Sequence, residues 1–370
     1  MRAKTTNNIF IIGGARPNFM KIAPLIREFK KQEIKFKFIH TGQHYDYNMS
    51  KVFFDNLGIP EPDYFLNVGS GTHASQTAKI MIEFEKVILK EKPRLVIVVG
   101  DVNSTIACAL VAKKRSIEVA HIEAGLRSFD FQMPEEINRK LTDQLSDYLF
   151  ITERSALLNL KNEGIDSSKI FFVGNVMIDN LINSLEEAQK NNYYKNLGLE
   201  PHSYGIVTIH RPSNVDDKKD LENVLKILNY IQTQTKIIFP IHPRTQKSLK
   251  KFNLEEELDK PNIIITEPLG YFDFLNLIIN AKFILTDSGG IQEEASYLKI
   301  PILTLRNNTE RPITIEEGTN TLIGKDILQL RRYLDEILSD TYKKGKSIEM
   351  WDGNTSHRIT NIIIDKVLKN

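Results

Sequence analysis

The chain has 370 residues, 41% of them hydrophobic and 26% charged, which is apolar material for about two ordinary domains and argues against disorder. Forty-nine Lys and Arg against 47 Asp and Glu leave a formal charge of +2, so no global field would hold the protein on nucleic acid or on an anionic membrane. Neither partner is expected, no uninterrupted apolar segment reaches the ~18 residues of a membrane span, and a single cysteine excludes an internal disulfide.

The first predicted strand, residues 9–12, is too short for a signal-peptide core, which points to a cytoplasmic protein. It runs into Gly13-Gly14-Ala15-Arg16-Pro17-Asn18 and then a helical pattern at Ile22, Leu25, Ile26 and Phe29. Such a strand-to-helix turn offers free backbone N–H groups, with Arg16 and Lys21, to an anion. A tight turn with two solvated cations has the same sequence. Strands at 36–40, 95–99, 119–122 and 148–151 alternate with longer segments of helical periodicity, which predicts a parallel, doubly wound α/β sheet. Cys108 lies in the apolar run 106–110 and reads as a core residue in a reducing compartment.

Carboxylates gather at the strand ends of this first half: Asp101 after 95–99, Glu123 after 119–122, then Glu135 and Glu136. In an open α/β sheet ligands bind beyond the carboxyl ends of the strands, so Asp101 and Glu123 are expected at the binding face. Asp101 also reads as a helix N-cap, and one of Glu135 and Glu136 as lying on a solvated helix face.

A second series follows residues 170–173, with strands at 205–209, 236–240, 263–266, 283–286 and 301–305. Two Rossmann-like domains, 1–172 and 173–353, are therefore predicted, with a cleft between them. The polar stretch 189–196 reads as a surface insertion. His210 and His242 end the first two strands of the second series. The turn Ser288-Gly289-Gly290 repeats the design of the first half. Ser288 and the N–H groups of Gly289 and Gly290 can donate to a diphosphate, and Glu294, one turn on, can accept from a ribose diol. Glu293 reads as an offset to the helix dipole, and Arg311 belongs to a loop expected at the same edge. The histidines and carboxylates lack the spacing of a compact metal site, so no metal is expected.

In order and type the motifs Gly14-Ala15-Arg16-Pro17, Thr41-Gly42-Gln43-His44, Gly100-Asp101, His121-Ile122-Glu123-Ala124-Gly125-Leu126-Arg127, Pro134-Glu135-Glu136-Ile137-Asn138-Arg139, His210-Arg211, Asp287-Ser288-Gly289-Gly290-Ile291-Gln292-Glu293-Glu294 and Thr309-Glu310-Arg311-Pro312 resemble those of non-hydrolysing UDP-N-acetylglucosamine 2-epimerases. The resemblance implies a glycosyltransferase-B-like fold, a homodimer, no added cofactor, and a C-terminal helix, 354–370, packed back on the first domain. By matching position it implies Asp101, Glu123, Glu135 and His210 as the catalytic set. Arg16, Lys21, Phe274, Ser288, Gly289, Gly290, Glu294 and Arg311 would hold the UDP-sugar, with Phe274 near the uracil. Gln43, His44 and His242 are the candidates for an activator site, although Thr72-His73-Ala74-Ser75-Gln76-Thr77 carries serine where bacterial members have arginine.

The implied reaction is reversible C2 epimerisation of UDP-N-acetylglucosamine to UDP-N-acetylmannosamine by loss and re-addition of UDP through a 2-acetamidoglucal. Two departures bear on the sugar: Asn18 stands where glutamate is commoner, and Pro212-Ser213 replaces Arg-Glu. A 2-epimerase of a related UDP-2,3-diacetamido sugar and a glycosyltransferase are the alternatives.

Overall fold

A computed structural model describes residues 8–42, 54 and 57–369. The chain divides into two compact units, Met1–Asn180 with Glu349–Asn370, and Leu181–Ile348.

The first unit is built on seven parallel strands, β1 (Ile9–Gly13), β2 (Phe36–His40), β3 (Tyr64–Phe65), β4 (Leu95–Val99), β5 (Glu118–Ala124), β6 (Tyr148–Ile151) and β7 (Ile170–Phe172), in the spatial order 3-2-1-4-5-6-7. Its longer helices are α1 (Arg16–Lys31), α2 (His73–Glu91), α3 (Asn103–Lys114), α4 (Pro134–Leu145) and α5 (Arg154–Asn162), and α6 (Val176–Lys190) begins in this unit and ends in the second. Strand residues with alternate parity, Phe10, Ile12, Val96, Val98 and Val119, pack against α2 and α3, where Cys108 is buried. Both faces of such a sheet must be covered, which is why β1 and β4 read as unbroken apolar runs.

The second unit repeats the design with β8 (Tyr204–Thr208), β9 (Lys236–Pro240), β10 (Ile263–Thr266), β11 (Phe283–Thr286), β12 (Ile302–Thr304) and β13 (Asn320–Leu322), ordered 10-9-8-11-12-13. Counted from β8 this is the 3-2-1-4-5-6 order of doubly wound nucleotide-binding sheets. Its longer helices are α7 (Lys218–Ile231), α8 (Pro243–Phe252), α9 (Tyr271–Ile279), α10 (Gly289–Tyr297) and α11 (Ile327–Leu338). Val207, Phe239, Leu285 and Leu303 face one core, with α7 and α11, while Ile206, Ile238, Ile284 and Ile302 face another, with α9 and α10. The side-chain period of two thus supplies both faces from single strands. Helix α7 shows why these segments are helical: Leu221, Val224, Leu225, Leu228 and Ile231 form one buried stripe, and Asp217 caps the helix by accepting from Lys219 N at 2.8 Å.

Three strands went unread in the sequence: β3 is two residues long, β13 is polar at two of its three residues, and β7 pairs with β6 as the edge of the first sheet. The stretch 189–196 is no insertion. Asn276 of α9 donates to the carbonyls of Ala188 and Asn191 and accepts from Tyr194 N, and Tyr193 and Tyr194 pack on the core. The chain returns to the first unit as α12 (Thr355–Ile363), which packs beside α1. Among the described residues no helix is long and apolar enough to cross a membrane.

Candidate active site

In the first unit the carboxylates lie where β4 and β5 end. Glu123 is buried and its backbone φ is 71°, a left-handed conformation that costs an L side chain about 1–3 kcal/mol. The pairing of β5 with β6 shifts register between Ile122 and Ala124, so Glu123 occupies a bulge, a device that re-aims a side chain at a strand end. Its Oε2 lies 2.5 Å from Nζ of Lys21 on α1, which is equally buried. The same ammonium packs on the turn after β4: a Cβ at Gly100, where φ is 68°, would lie 3.1 Å from it. Glycine takes that left-handed backbone without strain and leaves room for the ammonium.

Asp101 follows directly. Its carboxylate is held by the Arg139 guanidinium of α4, and Asn138 Nδ2 donates to its carbonyl at 2.8 Å. The cap position of α3 is Val102, so the capping reading of Asp101 fails. Glu136 is buried and accepts from Ser128 N at 2.8 Å, Ser128 Oγ at 2.9 Å and Arg139 Nη1 at 3.1 Å, which pins the loop before α4. Glu135, half-buried in the first turn of α4, makes no hydrogen bond or ion pair among the described residues. Of the pair, Glu136 is thus the buried member and Glu135 the partly exposed one.

The free amides expected after β1 are spoken for. Asn18 Oδ1 accepts from Gly14 N at 3.1 Å and Ala15 N at 3.0 Å, and its Nδ2 donates to Val99 O at 3.1 Å. A buried asparagine therefore occupies the anion position of this turn and ties it to β4. Arg16 is the first residue of α1. Gln43 and His44 lie outside the described residues. Thr72 caps α2, and Gln76 donates to Gly69 O and accepts from Asn103 Nδ2, so that segment braces the start of α3.

In the second unit the turn after β11 is open. Ser288 is the N-cap of α10 without a side-chain cap bond, and nothing lies within 4 Å of where a Gly290 Cβ would be. A Cβ at Gly289 would instead come within 2.7 Å of Arg311 Nη1, so the missing side chain makes room for a guanidinium at the helix N-terminus. Amides, dipole and cation converge there, the requirements of a phosphate site. Arg311 is held by Glu293, whose Oε1 is 2.8 Å from its Nε. Glu293 thus orients a cation rather than offsetting the dipole.

The rest of the loop is pinned the same way. Thr309 Oγ1 donates to Gln292 Oε1 at 2.7 Å, and Arg306 holds Glu310 at 2.9 Å. The Gly-Gly-Ile-Gln-Glu-Glu and Thr-Glu-Arg-Pro segments are two sides of one buried polar seam. Glu294 accepts from Tyr271 Oη at 2.9 Å. Burial, reinforced by the Glu293 charge and opposed by Tyr271, pushes its carboxyl up to about 7. Phe274, on α9, packs half-buried on the core that α9 and α10 share.

His210, after β8, places Nδ1 3.1 Å from Oδ1 of Asp287. Asp287 is fully buried and also accepts from His210 N, Arg211 N and Asn214 Nδ2 at 2.8–3.0 Å. Burial works against that carboxylate, but His210 and Asn214 hold it below the usual range. His242 stacks on His210 with ring centroids 5.0 Å apart and accepts from Arg244 N at the start of α8. Burial and the His210 charge lower its pKa.

Arg139, Tyr271 and Asp287 were given no role from the sequence, and Asn18 stood out there only as a departure from the commoner glutamate. Arg139 carried a signal, standing one helical turn after Glu135; Tyr271 carried none, since only the fold brings α9 beside α10. Among the described residues no group of three or more His, Cys, Asp and Glu could hold a metal ion.

A family model described as UDP-N-acetylglucosamine 2-epimerase matches residues 27–364. A UDP-N-acetylglucosamine 2-epimerase of Methanocaldococcus jannaschii is 49% identical over 359 residues, 95% of this chain and 98% of its own. The crystal structure of the M. jannaschii UDP-GlcNAc 2-epimerase in complex with UDP-GlcNAc and UDP superposes with a TM-score of 0.89 at 46% identity, covering 97% of this chain and 99% of that one. A UDP-2,3-diacetamido-2,3-dideoxy-D-glucuronate 2-epimerase of Pseudomonas aeruginosa is 43% identical over 321 residues, 85% of this chain and 88% of its own.

Proposed function

This chain belongs to the UDP-N-acetylglucosamine 2-epimerase family, and we propose that it interconverts UDP-N-acetylglucosamine and UDP-N-acetylmannosamine in the cytoplasm by eliminating and re-adding UDP. The observation that carries the reading is Glu123: a buried carboxylate in a strained bulge, paired with Lys21 beside the Asp101 turn. Strain of that kind persists where function needs it.

C2 of the sugar has no adjacent carbonyl, so taking its proton alone would leave an unstabilised carbanion. Loss of UDP from C1 as the C2 proton leaves gives 2-acetamidoglucal. UDP then adds back with a proton delivered to the other face of C2. Proton transfer of this kind needs acid–base groups near C2 and cations at the leaving diphosphate. In this proposal Asp101 and Glu123 exchange the proton, Glu135 orients the sugar, and His210 with Arg16 and Lys21 stabilises departing UDP. Ser288, Gly289, Gly290 and Arg311 take the diphosphate, Glu294 the ribose and Phe274 the uracil. The exposed Phe129, Phe131, Ile137 and Leu141 around α4 support a homodimer.

The 43% identity to the diacetamido-sugar epimerase favours a second reading in which the sugar is a UDP-2,3-diacetamido uronate. Proton NMR in D₂O decides. With UDP-N-acetylglucosamine, loss of the C2 proton signal and growth of the UDP-linked manno epimer are expected. An inert spectrum with that sugar but exchange with the diacetamido uronate would transfer the assignment to the second reading. Replacing Asp101 by Asn should cut turnover about a hundredfold, the scale of losing a positioned proton-transfer group.

A further inference from the structure

His121 is fully buried in β5, two residues before Glu123. Its Nε2 donates to Gly100 O at 2.8 Å, and its Nδ1 lies 2.6 Å from Oδ1 of Asp143 on α4. The other Asp143 oxygen accepts from Gly125 N at 3.1 Å and from Arg127 Nη2 at 2.7 Å. Arg127 closes on Glu163 at 2.6 Å. Burial works against ionising Asp143, but His121 and Arg127 beside it hold its carboxyl below the usual range. A carbonyl oxygen only accepts, so Nε2 of His121 carries the proton it gives to Gly100, and Nδ1 faces the Asp143 carboxylate.

One unbroken chain of buried hydrogen bonds therefore runs from the residue before Asp101 to the second residue after Glu123. Both of its ends are backbone groups of left-handed residues, Gly100 at φ 68° and Gly125 at φ 78°, and Glu123 lies between at φ 71°. A histidine kept only to fill the core would need none of this, and apolar residues would fill the same volume without the cost of burying charge, several kcal/mol per ion.

We propose that His121, acting through Asp143 and the Gly100 carbonyl, is a positioning residue that fixes the separation of the Asp101 and Glu123 carboxylates. The inference rests on the epimerase reading, in which those carboxylates move the C2 proton. Two sides of a ring are needed to span both partners. Asparagine at 121 can reach Asp143 but not Gly100, and glutamine the reverse.

The test compares wild type with His121→Asn and His121→Gln. kcat and KM for UDP-N-acetylglucosamine, UDP affinity by calorimetry and C2-proton exchange in D₂O are measured on samples whose fold is checked by circular dichroism. A misplacement of about 1 Å costs on the order of a hundredfold, so kcat should fall about 10- to 100-fold with UDP affinity within about twofold. Free UDP should also accumulate relative to epimer. Variants with native fold and unchanged kcat would overturn the brace. So would a loss of kcat that merely tracks loss of folded protein and of UDP affinity together. ¹⁵N NMR of the wild-type ring needs no variant: a proton on Nε2 is expected from its bond to the Gly100 carbonyl, and a ring with a bare Nε2 would overturn the continuous chain. Wild type that leaves the C2 proton in place with either sugar would overturn the epimerase reading itself, a result distinct from full activity in the variants.

Discussion

Nζ of Lys21 lies 2.5 Å from Oε2 of Glu123, and both side chains are almost wholly withdrawn from water. Desolvation makes such a pair a weak source of net stability but a costly one to break, because the surviving partner is left as a buried lone charge. Lys21→Met is therefore expected to lower the unfolding free energy by about 3–5 kcal/mol. The double variant Lys21→Met/Glu123→Gln should recover most of that loss while remaining inactive. Urea denaturation of the two variants and the wild type measures it; a single variant as stable as wild type would contradict the pairing.

Glu294 gives a pH signature. Its carboxyl lies at about 7, above the ordinary 4.5, because it is buried. The folded state thus holds a proton that the unfolded chain has lost, and stability falls as pH rises from 4.5 to about 7. A ribose diol donating to this group would favour its ionised form. UDP binding at about pH 6 should then release close to one proton, read as a dependence of the calorimetric enthalpy on the ionisation enthalpy of the buffer. Glu294→Gln should lower that release by close to one proton, leaving only the share that comes from the UDP phosphate, whose second pKa is about 6.

The seam between α10 and the loop at 307–312 predicts a different split. Glu293 holds Arg311 against the Ser288-Gly289-Gly290 turn, so Glu293→Gln should weaken a charge-assisted bond worth about 1.5–3 kcal/mol without touching the proton-transfer groups. UDP affinity is expected to fall about tenfold or more, which corresponds to about 1.4 kcal/mol, with kcat at saturating substrate nearly unchanged. A large fall in kcat at unchanged UDP affinity would remove Glu293 from the binding role.

The strands and the two strand-end motifs were legible because short unbroken apolar runs and glycine turns are local signals. What sequence could not give was the assignment of partners. Gly14 and Ala15 look like free donors until Asn18, four and three residues on, is seen to cover both. Glu293 looks like a dipole residue until the loop after β12 folds back and presents Arg311. Asp101 looks like a cap until α4, more than thirty residues on, delivers Arg139. In each case the local reading was chemically sound, and a longer-range contact claimed the same polar atom. Glu123 shows the converse: nothing local marks a glutamate as left-handed, yet the glycine after it let the turn be placed.

The return of the chain to the first unit depends on one carboxylate. Asp179 of α6 accepts from Thr355 N at 3.1 Å, Ser356 N at 2.6 Å and Ser356 Oγ at 2.7 Å, and so caps α12 from another helix. Burial raises its carboxyl above the ordinary 3.8 in spite of these donors, so Asp179 takes up its proton at a higher pH than an exposed aspartate; the stability linked to that proton is present in acid and is lost as pH rises through the raised value. Asp179→Ala orphans all three donors and should cost about 2–3 kcal/mol, whereas Ser356→Ala removes one neutral donor and should cost about 1 kcal/mol. Hydrogen exchange distinguishes a local from a global effect. The α12 amides should exchange faster in Asp179→Ala, with those of β1 and β4 unchanged. Unaltered α12 protection would mean that Ile359, Ile363 and Val367, all buried, hold the segment on their own.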